Sequence, residues 1–149
     1  MCEGVGEIGL RWLKKVKEET GMKTCTEVAN AAHVKLAIDN DVDLLWIGAR
    51  STVSPFIMQE LADALKGTDK IVLVKNHVYS DLALWSRVID RLYTVVLKTF
   101  AAIPRLFSNY DKTIYHIIHK WQTPNKSQHK FTDLHLINDP SHLPSNGEC

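Results

Sequence analysis

Residues 42–76 read VDLLWIGARSTVSPFIMQELADALKGTDKIVLVKN. VDLLWIGA is apolar at nearly every position, the pattern of a strand covered on both faces. Ser54 followed by Pro55 marks a helix start. The hydroxyl caps the first turn, and proline is tolerated at the first helical position because its missing N–H would have no partner there. SPFIMQELADALKG then runs as a helix that Gly67 closes, and KIVLVKN, residues 70–76, is a second buried strand. Strand, helix, strand at this spacing is a right-handed crossover between parallel neighbours.

The same alternation extends outward. GLRWLKKVKEET, residues 9–20, sets Leu10, Leu13 and Val16 on one face against lysines and glutamates, a surface helix that Gly21 stops. KTCTEV is β-prone, and ANAAHVKLAIDND is helical with Val34, Leu36, Ala37 and Ile38 on its apolar side. Downstream, DLALWSRVIDRLYTVVLK is a long helix with Asp81 as its cap, and TFAAI is a further strand. A polar, irregular stretch from Phe107 to Asp133 leads to a last strand, LHLIND. The tail PSNGEC reads as frayed. Strands alternating with helices predict an α/β fold on a parallel sheet, and no low-complexity linker divides residues 1–149.

Composition narrows the function. With 45% hydrophobic and 23% charged residues in 149, the chain reads as a soluble globular domain. A formal net charge of +1 gives no electrostatic reason to expect nucleic acid or an acidic membrane surface. The apolar run LYTVVLKTFAAI is short and broken by Lys98, so no membrane span is expected, and no secretory leader opens the chain. Cys2, Cys25 and Cys149 are odd in number and lack C-x-x-C, which points to a reducing cytoplasm.

Each strand ends in a residue unlike its apolar body: Glu27, Arg50, Lys75, Arg105, then Asp139 with His142. In a parallel α/β sheet or barrel the strand carboxyl ends share one rim, and that rim carries the chemistry. Three cations, two carboxylates and an imidazole there suit a small, multiply anionic substrate. Arginine takes carboxylate or phosphate in bidentate fashion, lysine supplies a point charge, and a histidine beside carboxylates is a metal-ligand pattern. Taken singly, each of these charges reads as a solvated loop start; their common phase is what argues otherwise.

Other candidates read as structural. Gly4, Gly6 and Gly9 stand at the G-x-G-x-x-G spacing of a dinucleotide turn, but Met1, Cys2 and Glu3 are too few and too polar to form the strand that turn requires. They read as a lead-in loop, and an NAD-binding domain is the weaker alternative. His116 and His119 in HIIH lack a third ligand nearby. Cys25 reads as a small core residue, and the four scattered tryptophans, Trp12, Trp46, Trp85 and Trp121, as core or cover.

GMKTCTEV, DLLWIGARSTVSPFIMQELADAL, KIVLVKN, DLALW, FSNY and LINDPSH occur here in the order found in 3-deoxy-D-arabino-heptulosonate 7-phosphate (DAHP) synthase. The chain resembles the bacterial form often fused to chorismate mutase, with IGARSTVSPF and DPSH the specific parts. The related 3-deoxy-octulosonate 8-phosphate synthase, a weaker alternative, has a D-A-T-H-S element instead. The resemblance implies a (β/α)8 barrel that condenses phosphoenolpyruvate with erythrose 4-phosphate, using a divalent metal (Mn, Fe, Co or Zn), at the head of aromatic amino acid synthesis. It implies that Ala49, Arg50, Lys75 and Arg105 bind phosphoenolpyruvate. Lys75 and Glu27 are then catalytic, Glu27 lying near the phosphate and reacting water, and His142 is a metal ligand with Asp139 in the same motif.

A complete barrel takes about 250 residues. The resemblance therefore implies a partial (β/α)8 barrel, roughly strands three to seven, forming a single incomplete domain over 1–149. In the family a glycine-containing loop like 4–9 follows strand two. With His142 the one recognisable metal ligand, the metal is not expected to be held tightly, nor the chain alone to be active. A homo-oligomer or the missing barrel segments are the expected partners; the alternative is a non-catalytic module that only associates with an intact synthase. His77 stands where the family has proline, and IPRLFS replaces H-R-G-F-S around Arg105.

Overall fold

A computed structural model describes residues 4–77, 81–94, 100–104, 107–108, 117–118, 122–137 and 139. Their elements run α1 (Glu7–Thr20), β1 (Cys25–Val28), α2 (Ala31–Asp39), β2 (Leu44–Ile47), α3 (Pro55–Leu65), β3 (Ile71–Lys75), α4 (Leu82–Tyr93) and β4 (Phe100–Ile103). Next come β5 (Phe107–Ser108), β6 (Ile117–Ile118), α5 (Gln122–Lys130) and β7 (His135–Leu136). A five-stranded sheet has the order β1-β2-β3-β4-β7, with every neighbouring pair parallel.

Local chemistry sets the helix ends. Asn30 accepts from the His33 N–H at 2.8 Å, and Asp81 from that of Leu84 at 2.9 Å. Ser54 caps α3 with Pro55 in its first turn, as expected from SP. Gly21, at φ 70°, lets its N–H turn back to the Lys17 carbonyl at 2.9 Å and end α1.

Successive helices lie side by side, α1 on α2, α2 on α3, α3 on α4 and α4 on α5, all over one face of the sheet. That face holds the core. Val28, Leu45, Ile47, Val72, Val74 and Ala102 point outward from the strands into Met58, Leu61, Leu65, Trp85, Ile89 and Leu92, and all twelve are buried. The opposite face carries no helix among the described residues. Its apolar patch is Leu44, Trp46, Ile71, Leu73, Ala101 and Ile103. A strand order that follows chain order, with helices on one side only, is the winding of a barrel wall. A doubly wound nucleotide fold instead reverses its strand order to open a crevice.

Charge gathers at the amino ends of the strands. Lys17 of α1 reaches Asp41 at 2.7 Å and Asp43 at 2.8 Å, and Asp43 also accepts from the Thr24 N–H at 2.8 Å. The ammonium and that N–H hold the Asp43 carboxyl down at about 2. Lys70, just before β3, adds a contact to Asp41 at 3.4 Å.

Several expectations need correction. Residues 107–133 are not irregular throughout: β5 and β6 pair antiparallel, and α5 provides the crossover to β7. Cys25 is exposed rather than core, because its place on β1 faces the side without helices. Trp12 is neither core nor cover; it is 59% exposed on α1, a helix with no buried residue. The glycine stretch, by contrast, leads into a helix as expected: Gly4 precedes it, Gly6, at φ 65°, is the residue before α1, and Gly9 lies within its first turn. Among the described residues no helix is long and apolar enough to cross a membrane.

Candidate functional site

Side chains alternate along a strand, and the parallel register puts their levels side by side. Glu27, Trp46, Leu73, Ala101 and His135 are paired across the sheet in that order, and Lys75 pairs with Ile103 one level further toward the carboxyl edge. Leu73, Trp46 and Ile103 belong to the uncovered face. By alternation Glu27 and Lys75 belong to it too, at the strand ends.

Lys75 is the centre of this edge. Its side chain is 16% exposed, and its Nζ lies 3.0 Å from Oδ2 of Asp139, itself 13% exposed, which follows β7 at the far side of β4. The same Nζ sits over the Trp46 ring, 4.3 Å from its centroid. Glu27, more open, rests its carboxylate against Gly48, where any Cβ would collide with it. Glycine at 48 is therefore what lets the carboxylate lie across the end of β2.

The turn after β2 is tightly bonded. The Ser51 and Thr52 N–H groups donate to the Gly48 carbonyl at 3.0 and 3.2 Å, and the Thr52 hydroxyl to the Ala49 carbonyl at 3.0 Å. Ala49 and Thr52 are buried as a result, and Arg50 is left exposed at the apex. So the structure brings Lys75 and Asp139 into contact, sets Glu27 on the same face, and holds Ala49 and Arg50 on the adjoining turn. Arg105 and His142 lie outside the described residues, as do His116, His119 and Trp121.

Two features escaped the sequence reading. Trp46 packs into the apolar patch, as core or cover would, and its ring also supports the Lys75 ammonium. The signal was its even spacing from Leu44, which puts both on the rim-bearing face. His77 is buried completely, and neither ring nitrogen has a hydrogen-bond partner among the described residues. Burial pushes its pKa down, against an opposing pull from Asp81.

Among the described residues no three His, Cys, Asp or Glu side chains converge as a metal site. Asp139, the described member of the expected metal motif, faces an ammonium. These residues do not by themselves fit a divalent ion.

The geometry has a solved counterpart. A crystal structure of phospho-2-dehydro-3-deoxyheptonate aldolase (DAHP synthase) from Thermotoga maritima matches with a TM-score of 0.76 at 20% identity. The match covers 94% of this chain and 39% of that one, and identifies the fold as part of a (β/α)8 barrel. No curated protein sequence matches. The model of the DAHP synthetase I family matches residues 3–148. With nearly its whole length inside that match, the chain belongs to the DAHP synthetase I family.

Proposed function

We propose that this chain carries the phosphoenolpyruvate side of a DAHP synthase rim. The reaction joins phosphoenolpyruvate to erythrose 4-phosphate with release of phosphate. In this reading Lys75 gives a fixed point charge to the bound anion, and Arg50 closes on a carboxylate or phosphate from the turn after β2 with its planar fork. The Ala49 backbone lines the site, Arg105 adds a third cation, and Glu27 stands beside the reacting water. The divalent metal that the family generally uses would be held through His142, with Asp139 in its motif and ligands beyond the described residues.

The observation that carries the reading is the Lys75 ammonium, mostly buried at the carboxyl edge and on the same face as Glu27. Five parallel strands form one arc of a rim, and the chain spans 39% of the structural neighbour. We therefore propose that residues 1–149 are a single incomplete barrel domain that binds phosphoenolpyruvate without condensing it. Titration of the purified chain with phosphoenolpyruvate, followed by NMR, should show saturable binding that Lys75→Met weakens at least about tenfold, and no DAHP on adding erythrose 4-phosphate with divalent metal. Binding indifferent to Lys75→Met overturns the site; DAHP formation overturns the inactivity.

A second reading, a non-catalytic module that associates with an intact synthase, draws support from α1. Its Ile8, Trp12 and Val16 are 57%, 59% and 43% exposed on a helix with no buried residue. Co-purification with a full-length synthase subunit would favour this reading; no association would remove it.

A further inference from the structure

We infer that Trp46 is a positioning residue for Lys75: its indole face holds the ammonium at the rim so that an anionic substrate meets a charge already in place. The inference rests on the phosphoenolpyruvate reading of the rim and deepens it.

A lysine side chain is a flexible four-carbon stem, and on a bare rim its charge would wander through many rotamers. Here two contacts fix it from opposite sides of β3. Asp139 approaches at 3.0 Å from beyond β7, and the Trp46 ring lies under Nζ at 4.3 Å from β2. Their effects on a ligand are opposite. The carboxylate attracts the ammonium but repels an incoming anion and competes for its N–H groups. The aromatic face attracts the cation through its quadrupole and leaves those N–H groups available. Trp46 is itself fixed, half-buried in the patch with Leu44, Ile71 and Leu73. Because Trp46 pairs with Leu73, Lys75 lies one level beyond it on the neighbouring strand, so the stem crosses the ring toward the rim. Removing the ring would leave Asp139 as the dominant partner and draw the charge away from Arg50 and Glu27.

The test compares Trp46→Phe with Trp46→Leu, each with Lys75 intact and in a Lys75→Met background, using phosphoenolpyruvate as the probe. Both replacements shrink the side chain and share the packing loss, but Phe alone keeps an aromatic face. Trp46→Leu should weaken binding about three- to thirtyfold, Trp46→Phe should restore most of it, and in Lys75→Met neither change should matter further. The Lys75 Hε protons, shifted upfield by the ring current, should move downfield in Trp46→Leu. Equal losses in Phe and Leu, or a Leu loss that persists in Lys75→Met, would make Trp46 a packing residue only and overturn the inference. Binding that needs Lys75 and ignores Trp46 overturns it while sparing the site; absence of saturable binding to the unaltered chain overturns both.

Discussion

His77→Leu should make this protein more stable, and increasingly so as pH falls. Leucine is close to histidine in volume, and the imidazole it replaces is wholly buried with both nitrogens unpartnered among the described residues. A buried polar group left without a hydrogen bond costs about 1–3 kcal/mol, and an apolar replacement of similar shape recovers much of that. At neutral pH the expected gain is about 1–2 kcal/mol, or about 2–8 °C in Tm for a chain of this size. The pH dependence follows from the depressed folded-state pKa. As pH falls through 6.5, the ordinary pKa of histidine, the unfolded chain takes up the proton first. The native state of the unaltered protein loses stability from there down to its own lower pKa. The leucine variant has no such proton, so its advantage should widen by up to about 1.4 kcal/mol per pH unit below 6.5. Urea unfolding of both proteins at pH 7.5, 6.5 and 5.5 measures this, and the difference cancels the other histidines. A variant less stable than the parent by 1 kcal/mol or more, with a flat difference across pH, would mean the imidazole is hydrogen-bonded and refute the reasoning.

Three further outcomes are expected. Gly48→Ala should cost about 0.5–1 kcal/mol, since the displaced atoms belong to a flexible, exposed Glu27, and should cost nothing in a Glu27→Ala background. A double-mutant cycle by urea unfolding reads the coupling, and equal costs in both backgrounds would show that the carboxylate is not what the new methyl meets. Asp43→Asn should destabilise the protein by about 1–2 kcal/mol at neutral pH through the lost Lys17 and Thr24 partners. Asp43 has a depressed carboxyl pKa, so its contribution is complete above 3.8 and fades as pH drops toward about 2, where parent and variant should converge in acid titration followed by circular dichroism. Leu45→Ala, at a wholly buried position, should cost about 2–5 kcal/mol, read as a fall in Tm.

The wall of the barrel was legible because each of its signals is local. VDLLWIGA, SPFIMQELADALKG and KIVLVKN gave β2, α3 and β3 to within a few residues, and Ser54, Asp81 and Gly21 sit at the helix ends their chemistry demands. The α5 helix was missed because QTPNKSQHK carries a proline and almost no apolar face, so only its place against α4 makes it helical. Cys25 looked like core because a strand residue's face cannot be read from one strand: the same letter is buried on one side of the sheet and open on the other. For the rim, the residue types at the strand ends were visible, but the partners of Lys75 were not. Trp46 and Asp139 are 29 and 64 positions away from it in the chain, and only the parallel register brings them to one ammonium.

The placement of the Lys17, Asp41, Asp43 and Lys70 network has a consequence for how such a protein can change. Its anchoring charges close the bottom of the wall, and the groups that would greet a ligand stand at the top. Asp43 and Arg50 flank the same short strand, yet neither needs the other. Drift in the upper loops can retune or abolish ligand capture while the lower clasp keeps the scaffold intact, so the architecture should outlast any particular chemistry mounted upon it.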